Sequence, residues 1–267
     1  MMKIFVTVKQ VPDTSGKVSV KPDGTLDRGS MKTIINPDDL NAVEAALKLK
    51  DETGCRIIAV TMGPPPAEEM LREIMAMGVD EGLLVTAREF GGSDTYATSQ
   101  ILAAAIETYG LGEEDLILAG RQAIDGDTAQ VGPQIAEKLD LPQVTYAGDI
   151  KKEGKQITVK RMLEDGYMIV KVSAPCLITC IKELNEPRYM FAGEIFEVYD
   201  KKLTVMDYET LKEHPLIDKS TIGLQGSPTN ILTSFTPPVK GAGVMLEGDG
   251  RQTTDKLAEL LDARHLI

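Results

Sequence analysis

A stretch near the middle of the chain combines small, acidic and hydroxyl side chains with one arginine, a mixture that suits the binding of a nucleotide phosphate. It reads AGRQAIDGDTAQVG from 119 to 132 and follows the apolar run 116–119, which has the length and β-branched content of a buried strand. Gly126 and Gly132 remove side chains where a ligand would approach. A helix start beside them would offer unpaired N–H groups and a positive dipole end to an anion.

The residues after this stretch predict the helix. Asp127 or Thr128 is a suitable N-cap, and the apolar residues Val131, Ile135 and Leu139 recur every four positions. The same glycines and aspartates are also common in loops that simply connect a strand to a helix. Neither GxGxxG nor the Walker pattern GxxxxGK(S/T) occurs in it. The local pattern therefore favours a phosphate loop and a plain connecting loop about equally.

The composition limits the class of partner. Forty-one acidic and 29 basic residues give a net charge of −12, which argues against DNA or RNA because phosphate backbones need a basic face. No run approaches the roughly 20 apolar residues of a membrane span, and the N-terminal residues lack a signal peptide's apolar core. We therefore expect no nucleic acid, no membrane and a cytoplasmic location.

The cysteines and histidines argue against metal and thiol chemistry. Cys176 and Cys180 lie four apart in a predicted strand, about 13 Å from each other and beyond disulfide reach. We expect the three cysteines to be buried, reduced thiols. The two histidines, His214 and His265, are far apart in the sequence, so we expect neither a metal site nor a histidine-based triad.

Apolar runs that alternate with helical patterns predict an α/β fold with a doubly wound, mainly parallel sheet. We expect helices after Asp38, after the prolines 64–66 and after Ser93 or Asp94. Turn signals at 153–154 and 164–166 predict an antiparallel addition after Pro142. The predicted strands are Ile4–Val8, Ile57–Thr61, Gly82–Val85, Leu116–Ala119 and Cys176–Ile181.

The last quarter of the chain has a weaker pattern. We expect a domain over 1–200 and a C-terminal arm over 201–267 that ends in a helix at Thr253–Leu266. A disordered terminus is the alternative, but scattered large apolar residues favour an arm that packs on a partner subunit. These residues are Ile222, Leu224, Ile231, Leu232 and Phe235.

Four motifs in order resemble the electron transfer flavoprotein β subunit. They are VKQVPD at 8–13, NPDDLNAVEAAL at 36–47, AGRQAIDGDTAQVGP at 119–133 and APCLITCIKELNEPRY at 174–189. The resemblance implies a core similar to the adenine-nucleotide α hydrolase fold and a heterodimer with an α subunit that carries FAD on a mobile domain. It also implies that the C-terminal arm wraps the α subunit.

The resemblance implies AMP or FAD as the cofactor of this chain. Most members hold AMP, whereas a subset holds a second FAD, accepts electrons from NADH and bifurcates them to two acceptors. The residues 131–133 resemble the FAD subset, which implies ferredoxin or flavodoxin as the low-potential acceptor and an acyl-CoA dehydrogenase as the other. The plain AMP-binding shuttle remains the alternative. A nucleotide-binding regulatory module with the same core is an alternative of another class.

The resemblance also assigns site residues. Arg121 is the candidate to stabilise a reduced, anionic flavin, although it could instead pair with a carboxylate such as Asp125. Asn36 could be no more than a turn residue. The remaining cofactor-binding candidates are Val8, Lys9, Asn36, Asp39, Ala119, Gln122, Ala123, Asp125, Gly126, Asp127, Thr128, Ala129, Gln130, Val131 and Gly132.

Two further surfaces are expected. The turn Gly92, Ser93, Asp94 and Thr95 is a candidate floor for the phosphates of NADH, with Asp94 equally suited to be a helix cap. The segment 186–195 resembles the loop that docks on acyl-CoA dehydrogenases, although the family's usual apolar anchor after NEPRY is not obvious here. Its docking candidates are Glu186, Pro187, Arg188, Tyr189, Phe191 and Ile195.

Overall fold

Apolar strands pair into one large sheet in the computed structural model, which describes residues 1–13, 32–229, 232 and 241–267. The strand order is β11-β5-β4-β1-β6-β10-β7-β8-β9, and the first seven strands in this order are parallel. The nine strands are β1 (Lys3–Thr7), β4 (Arg56–Met62), β5 (Glu81–Val85), β6 (Leu116–Gly120), β7 (Gln143–Glu153), β8 (Gln156–Leu163), β9 (Gly166–Ser173), β10 (Cys176–Cys180) and β11 (Leu203–Met206).

Among the described residues, a short hairpin and eight α-helices lie outside this sheet. The hairpin pairs β2 (Gln10–Pro12) with β3 (Thr33–Ile35) in antiparallel register. The helices are α1 (Pro37–Thr53), α2 (Ala67–Ala76), α3 (Thr95–Tyr109), α4 (Val131–Lys138), α5 (Ala192–Glu197), α6 (Tyr208–Leu211), α7 (Gly223–Gly226) and α8 (Gly250–Asp262).

The two faces of the sheet carry separate apolar cores because successive side chains of a strand point to opposite sides. On β1, Ile4 and Val6 belong to one core cluster with residues of α1 and α2, whereas Phe5 belongs to a second cluster with residues of α3 and α4. Strands covered on both faces are apolar throughout, as the sequence runs predicted. The α/β class, the mainly parallel sheet and the antiparallel addition of β8 and β9 are thereby confirmed.

The order of the strands creates a topological switch point at the carboxyl ends of β1 and β6. The chain moves from β1 through α1 to β4 on one side, whereas β6 lies on the other side of β1. At such a point in an open α/β sheet, the loops that leave the two neighbouring strands run in opposite directions. Ligands bind in the crevice between these loops. The loops after β1 and β6 contain the predicted cofactor residues.

Two helix starts differ from the prediction. Helix α1 follows Asn36, so Asp38 lies in its first turn and not before it. Helix α4 begins at Val131 after Gln130, with no side-chain cap from Asp127 or Thr128. The helix starts late because Asp127 and Ala129 have φ angles of 49° and 52°, which a right-handed helix excludes.

The end of the chain also differs from the prediction. The chain divides into two compact units, Met1–Leu232 and Thr233–Ile267. The larger unit includes residues after 200, because β11 pairs in parallel with β5 at the edge of the main sheet. The expected terminal helix is α8, which starts three residues earlier than predicted with a capping box at Asp249. Ile231 and Phe235 lie outside the described residues.

The three cysteines are free and buried, as predicted. Burial raises the pKa of the Cys176 thiol to about 12 and that of Cys180 still higher. A thiol must ionise to act as a nucleophile or a metal ligand. These cysteines are therefore inert parts of the core.

Gly132 is required for the packing of α4 on the sheet. A Cβ at this position would lie 2.9 Å from Thr179 Cγ2 and 3.5 Å from Ala119 Cβ, and Thr179 is buried. The sequence predicted that this glycine makes room for a phosphate. In the structure, the position where a Cβ would stand faces β6 and β10, so the missing side chain makes room for the sheet.

We expect Gly132→Val to lower the free energy of unfolding by about 1–3 kcal/mol, because overpacking forces α4 away from the sheet. Urea denaturation of the purified chain measures this loss. Gly126→Val is the matched control, since a Cβ there meets no atom within 4 Å. Equal stability of the two variants would contradict this account of Gly132.

Candidate functional site

Asn36 joins the loops that follow β1 and β6. Its side-chain Nδ2 donates to the carbonyl of Gln122 at 2.8 Å, and its Oδ1 accepts from the N–H of Ile124 at 3.1 Å. Its backbone N–H donates to the carbonyl of Lys9 at 2.9 Å. The residue is fully buried, and its side chain does not cap its own helix. Asn36 is therefore more than a turn residue, because it holds the predicted phosphate loop in place.

Two ion pairs brace the same loop. Lys9 Nζ contacts both carboxylate oxygens of Asp125 at 2.8 and 2.9 Å. Arg121 Nε lies 3.2 Å from Asp38 Oδ2. Arg121 therefore pairs with a carboxylate, as the alternative interpretation expected, but the carboxylate is that of Asp38 and not that of Asp125, which Lys9 contacts. The positive charge of Arg121 is balanced from the first turn of α1.

Asp39 is a buried carboxyl group beneath the crevice. Its Oδ2 accepts from the N–H of Lys9 at 2.8 Å. Burial raises the pKa of Asp39 to about 7, against opposing hydrogen bonds from Asn36, Lys9 and Gly120. A Cβ at Gly120 would overlap this carboxylate and lie 2.7 Å from the Asp38 carbonyl carbon. The glycine therefore allows α1 to approach the end of β6.

The neighbouring carboxyl group of Asp38 is less perturbed. Burial raises its pKa above the usual range, while the charge and hydrogen bond of Arg121 oppose the rise. Val8, Asn36 and Asp39 are all buried, although they were expected to line the adenosine or flavin side of the pocket. The hydrogen-bonding groups of Asn36 and Asp39 instead support the loops around it.

The loop between Arg121 and Gln130 is built on unusual backbone angles. Asp127 and Ala129 adopt left-handed conformations that cost about 1–3 kcal/mol each for residues other than glycine. Gln122 Nε2 donates to Asp127 Oδ1 at 2.7 Å, and the N–H of Asp127 donates to the carbonyl of Ala123 at 2.9 Å. The loop keeps a conformation that its local sequence does not favour.

This conformation leaves a row of backbone donors open. From Thr128 to Gly132, no backbone N–H donates to an acceptor in the ranges that the structure describes. Four of these five residues are exposed or half-buried. Successive free N–H groups at a helix start bind phosphates. Thr128, Ala129, Gln130 and Val131 thus present backbone donors of the kind that bind phosphates.

The turn expected to hold NADH phosphates is covered by the chain itself. The N–H of Asp94 donates to Ser227 Oγ at 2.8 Å, and Ser93 Oγ accepts from the N–H of Gly223 at 3.0 Å. A Cβ at Gly92 would lie 2.8 Å from Leu224 Cβ. Helix α7 and the residue that follows it therefore occupy this turn.

Two residues of that turn have other roles. Asp94 caps α3 by accepting from the N–H of Ala97 at 3.0 Å, which confirms the helix-cap interpretation. Thr95 Oγ1 contacts Gln130 Oε1 at 2.9 Å. Of the four NADH candidates, Thr95 thus bonds to the predicted phosphate loop.

The segment 186–195 carries a half-buried anchor followed by exposed aromatic residues. Arg188 contacts Glu44 and Asp51 of α1, and Glu186 and Ile195 are exposed. Six large side chains are exposed, with Tyr189 at 93% and Phe196 at 85%. We call this group the docking ridge: Tyr189, Met190, Phe191, Ile195, Phe196 and Tyr199.

Three members of the docking ridge lie outside the set predicted from the sequence. Met190, Phe196 and Tyr199 were not among the docking candidates. The spacing of Phe191, Ile195 and Tyr199, each four residues apart, is the helical signal that would have identified a common face. Helix α5 spans only six residues of this segment, which is too short for its amphipathic pattern to stand out.

The described residues contain neither a metal cluster nor a membrane span. No group of three or more His, Cys, Asp or Glu side chains in them is arranged to hold a metal ion. No helix among them is long and apolar enough to cross a bilayer. The described residues therefore leave two candidate functional features, the open N–H groups of residues 128–132 and the docking ridge.

Comparison with known proteins assigns the family. The model of the electron transfer flavoprotein domain matches residues 23–206. The chain is 65% identical over its full length to the acryloyl-CoA reductase electron transfer subunit gamma of Anaerotignum propionicum, and the match covers 100% of both chains. The same full coverage holds at 50% identity for the caffeyl-CoA reductase-Etf complex subunit CarD of Acetobacterium woodii.

A third relative carries the family's general name. The electron transfer flavoprotein subunit beta of Thermoanaerobacterium thermosaccharolyticum is 47% identical, again over the whole of both chains. The chain therefore belongs to the electron transfer flavoprotein family, as a β subunit. The resemblance of the four sequence motifs is confirmed.

We expect Asn36→Leu to reduce the amount of nucleotide that the purified protein retains. The change leaves the carbonyl of Gln122 and the N–H of Ile124 without partners, at about 1–3 kcal/mol for each buried group. Nucleotide released by denaturation, measured per chain, tests this expectation. Asp207→Ala is the control, because it removes a cap of α6 away from the loop. Undiminished retention in Asn36→Leu would contradict the role of Asn36.

Asp39 should make the protein less stable as the pH rises. Its folded pKa of about 7 exceeds the usual 3.8, so the folded state holds a proton that the unfolded state has lost. Stability from this group is fully present below about pH 4 and is lost as the pH rises through 7. Between pH 5 and 8 the loss is on the order of 2–3 kcal/mol.

Urea denaturation of the wild type and of Asp39→Asn at pH 5 and pH 8 measures this effect. We expect the stability of the variant relative to the wild type to improve at the higher pH. Asp51→Asn, at an exposed position of the same helix, should show no such change. Identical pH dependence of the wild type and Asp39→Asn would refute the raised pKa.

Proposed function

We propose that this chain binds FAD in the crevice between β1 and β6 and acts in a bifurcating electron transfer flavoprotein. The observation that supports a bound nucleotide is the row of open N–H groups from Thr128 to Gly132. A flavin supplies the hydride and single-electron chemistry that the side chains of the chain lack. The chain's own contribution is to bind the phosphates, orient the cofactor and set the local charge.

The choice of FAD over AMP rests on sequence resemblance. Both ligands carry an adenosine and a phosphate, so the amide row suits either of them. The residues 131–133 resemble the FAD-binding subset of the family, and two relatives are named as electron transfer subunits of CoA-ester reductases. AMP in a non-bifurcating shuttle is the second candidate.

Arg121 is the proposed positive charge near the flavin. Its side chain is about two-fifths exposed, and Asp38 beside it balances part of its charge. We propose NADH as the electron donor, with Thr95 as the contact point beside the phosphate loop. Gly92, Ser93 and Asp94 contribute the packing that supports Thr95.

The proposed partners follow from the family and from the exposed surfaces. The chain pairs with an α subunit, and its C-terminal residues pack on that subunit. The docking ridge contacts an acyl-CoA dehydrogenase, and Phe191, Ile195 and Phe196 supply apolar contacts where the usual anchor is not obvious. Ferredoxin or flavodoxin receives the low-potential electron, and the compartment is the cytoplasm.

Counting the cofactors tests the proposal. The chain is co-expressed with its α subunit, and the FAD and AMP released from the purified complex are measured per heterodimer. We expect two FAD and no AMP. One FAD and one AMP would make the chain the nucleotide-binding half of a simple shuttle, and no nucleotide from this chain would overturn the crevice assignment.

A further inference from the structure

We infer that Asn41 and Glu44 of α1 are positioning residues that hold the docking ridge in its orientation. The inference rests on the docking role proposed above. It concerns side chains that would not touch the partner, since both residues are buried. Their contacts determine how the exposed residues are presented.

The first contact is a reciprocal pair of amides. Asn41 Nδ2 donates to the backbone carbonyl of Asn185 at 2.8 Å, and Asn185 Nδ2 donates to the backbone carbonyl of Asn41 at 3.0 Å. Each side chain thus bonds to the other residue's backbone. This pair fixes the start of the segment that leads to the docking ridge.

The second contact is a charged clamp on Arg188. Glu44 accepts from the backbone N–H of Arg188 at 3.1 Å, from Nε at 2.9 Å and from Nη2 at 3.0 Å. Asp51 accepts from Nη2 at 2.9 Å. A planar guanidinium held at two edges has a fixed direction. Glu44 therefore orients both the main chain and the side chain of Arg188.

The docking ridge begins at the next residue. Tyr189 is 93% exposed, and the N–H of Phe191 donates to the carbonyl of Ala76 at 3.0 Å. Large apolar side chains are thus held in water on an ordered backbone. Binding of a partner to an ordered segment costs less conformational entropy than binding to a segment that must first become ordered.

Helix α1 also carries the support of the nucleotide crevice. Asn36 precedes its first turn, and Glu44 lies eight positions later, about 12 Å along the helix axis. The same rigid element therefore holds the phosphate loop at its start and the docking segment farther along. A partner on the docking ridge would meet the crevice at a fixed orientation.

Glu44→Gln tests the inference in the complex of the full chain with its α subunit. The change keeps the shape of the side chain and removes its charge. We expect the KM for an acyl-CoA dehydrogenase that the wild-type complex reduces to rise about tenfold, since charge-assisted hydrogen bonds are lost. The kcat and the bound nucleotide should remain unchanged. Hydrogen–deuterium exchange over residues 185–199 should become faster.

The matched control is Glu52→Gln, the same chemical change at an exposed position of α1. It should alter neither the exchange nor the KM. Unchanged exchange in Glu44→Gln would overturn the inference, as would an equal KM rise in the control. Faster exchange with an unchanged KM would instead overturn the docking role. If Glu44→Gln does not fold, Arg188→Lys, which keeps the charge but loses the two-edged contact, provides the same readouts.

Discussion

The buried side chain of Asn36 is the constraint on which the candidate site depends. An amide group in the protein interior must satisfy its donors and acceptor within the protein. Asn36 does so with main-chain atoms of the loop after β6, while its own backbone bonds to Lys9. Three segments that are distant in the sequence are thereby held at one edge of the sheet. The open N–H groups of residues 128–132 depend on the loop conformation that these bonds maintain.

The groups that would contact an anion at the crevice are set by the local structure and not by the net charge of the chain. The chain carries −12 overall, yet its crevice fits an anion through backbone N–H groups. Two cations at the loop, Lys9 and Arg121, contact the carboxylates of Asp125 and Asp38. Their charges therefore brace the loop, and the amide row supplies the open donors for a phosphate. An acidic protein can bind a nucleotide in this way without attracting nucleic acids.

Helix α1 relates the two functional surfaces of the larger unit. Its first turn packs against the end of β6, where Gly120 permits close approach, and its middle holds Asn185 and Arg188. A single helix is a stiff connection because its backbone hydrogen bonds run along its length. The proposed cofactor crevice and the docking ridge are therefore parts of one frame. Exposed aromatic residues on such a frame are typical of a surface that contacts other proteins.

The elements and the family were predictable from the sequence, whereas the construction of the site depends on contacts that form only in the folded chain. Apolar runs and helical spacing are local signals, so the parallel strands, the antiparallel addition and the cap at Asp94 were predictable. The four motifs also predicted that Lys9, Asn36 and the 119–132 segment belong together. The predicted start of α4 at Asp127 or Thr128 was wrong. The helix begins later because Asp127 and Ala129 adopt left-handed backbone angles. Three other features depend on residues that are distant in the sequence and meet only in the folded chain. Arg121 lies beside Asp38, Gly132 packs against β6 and β10, and Leu224 covers Gly92.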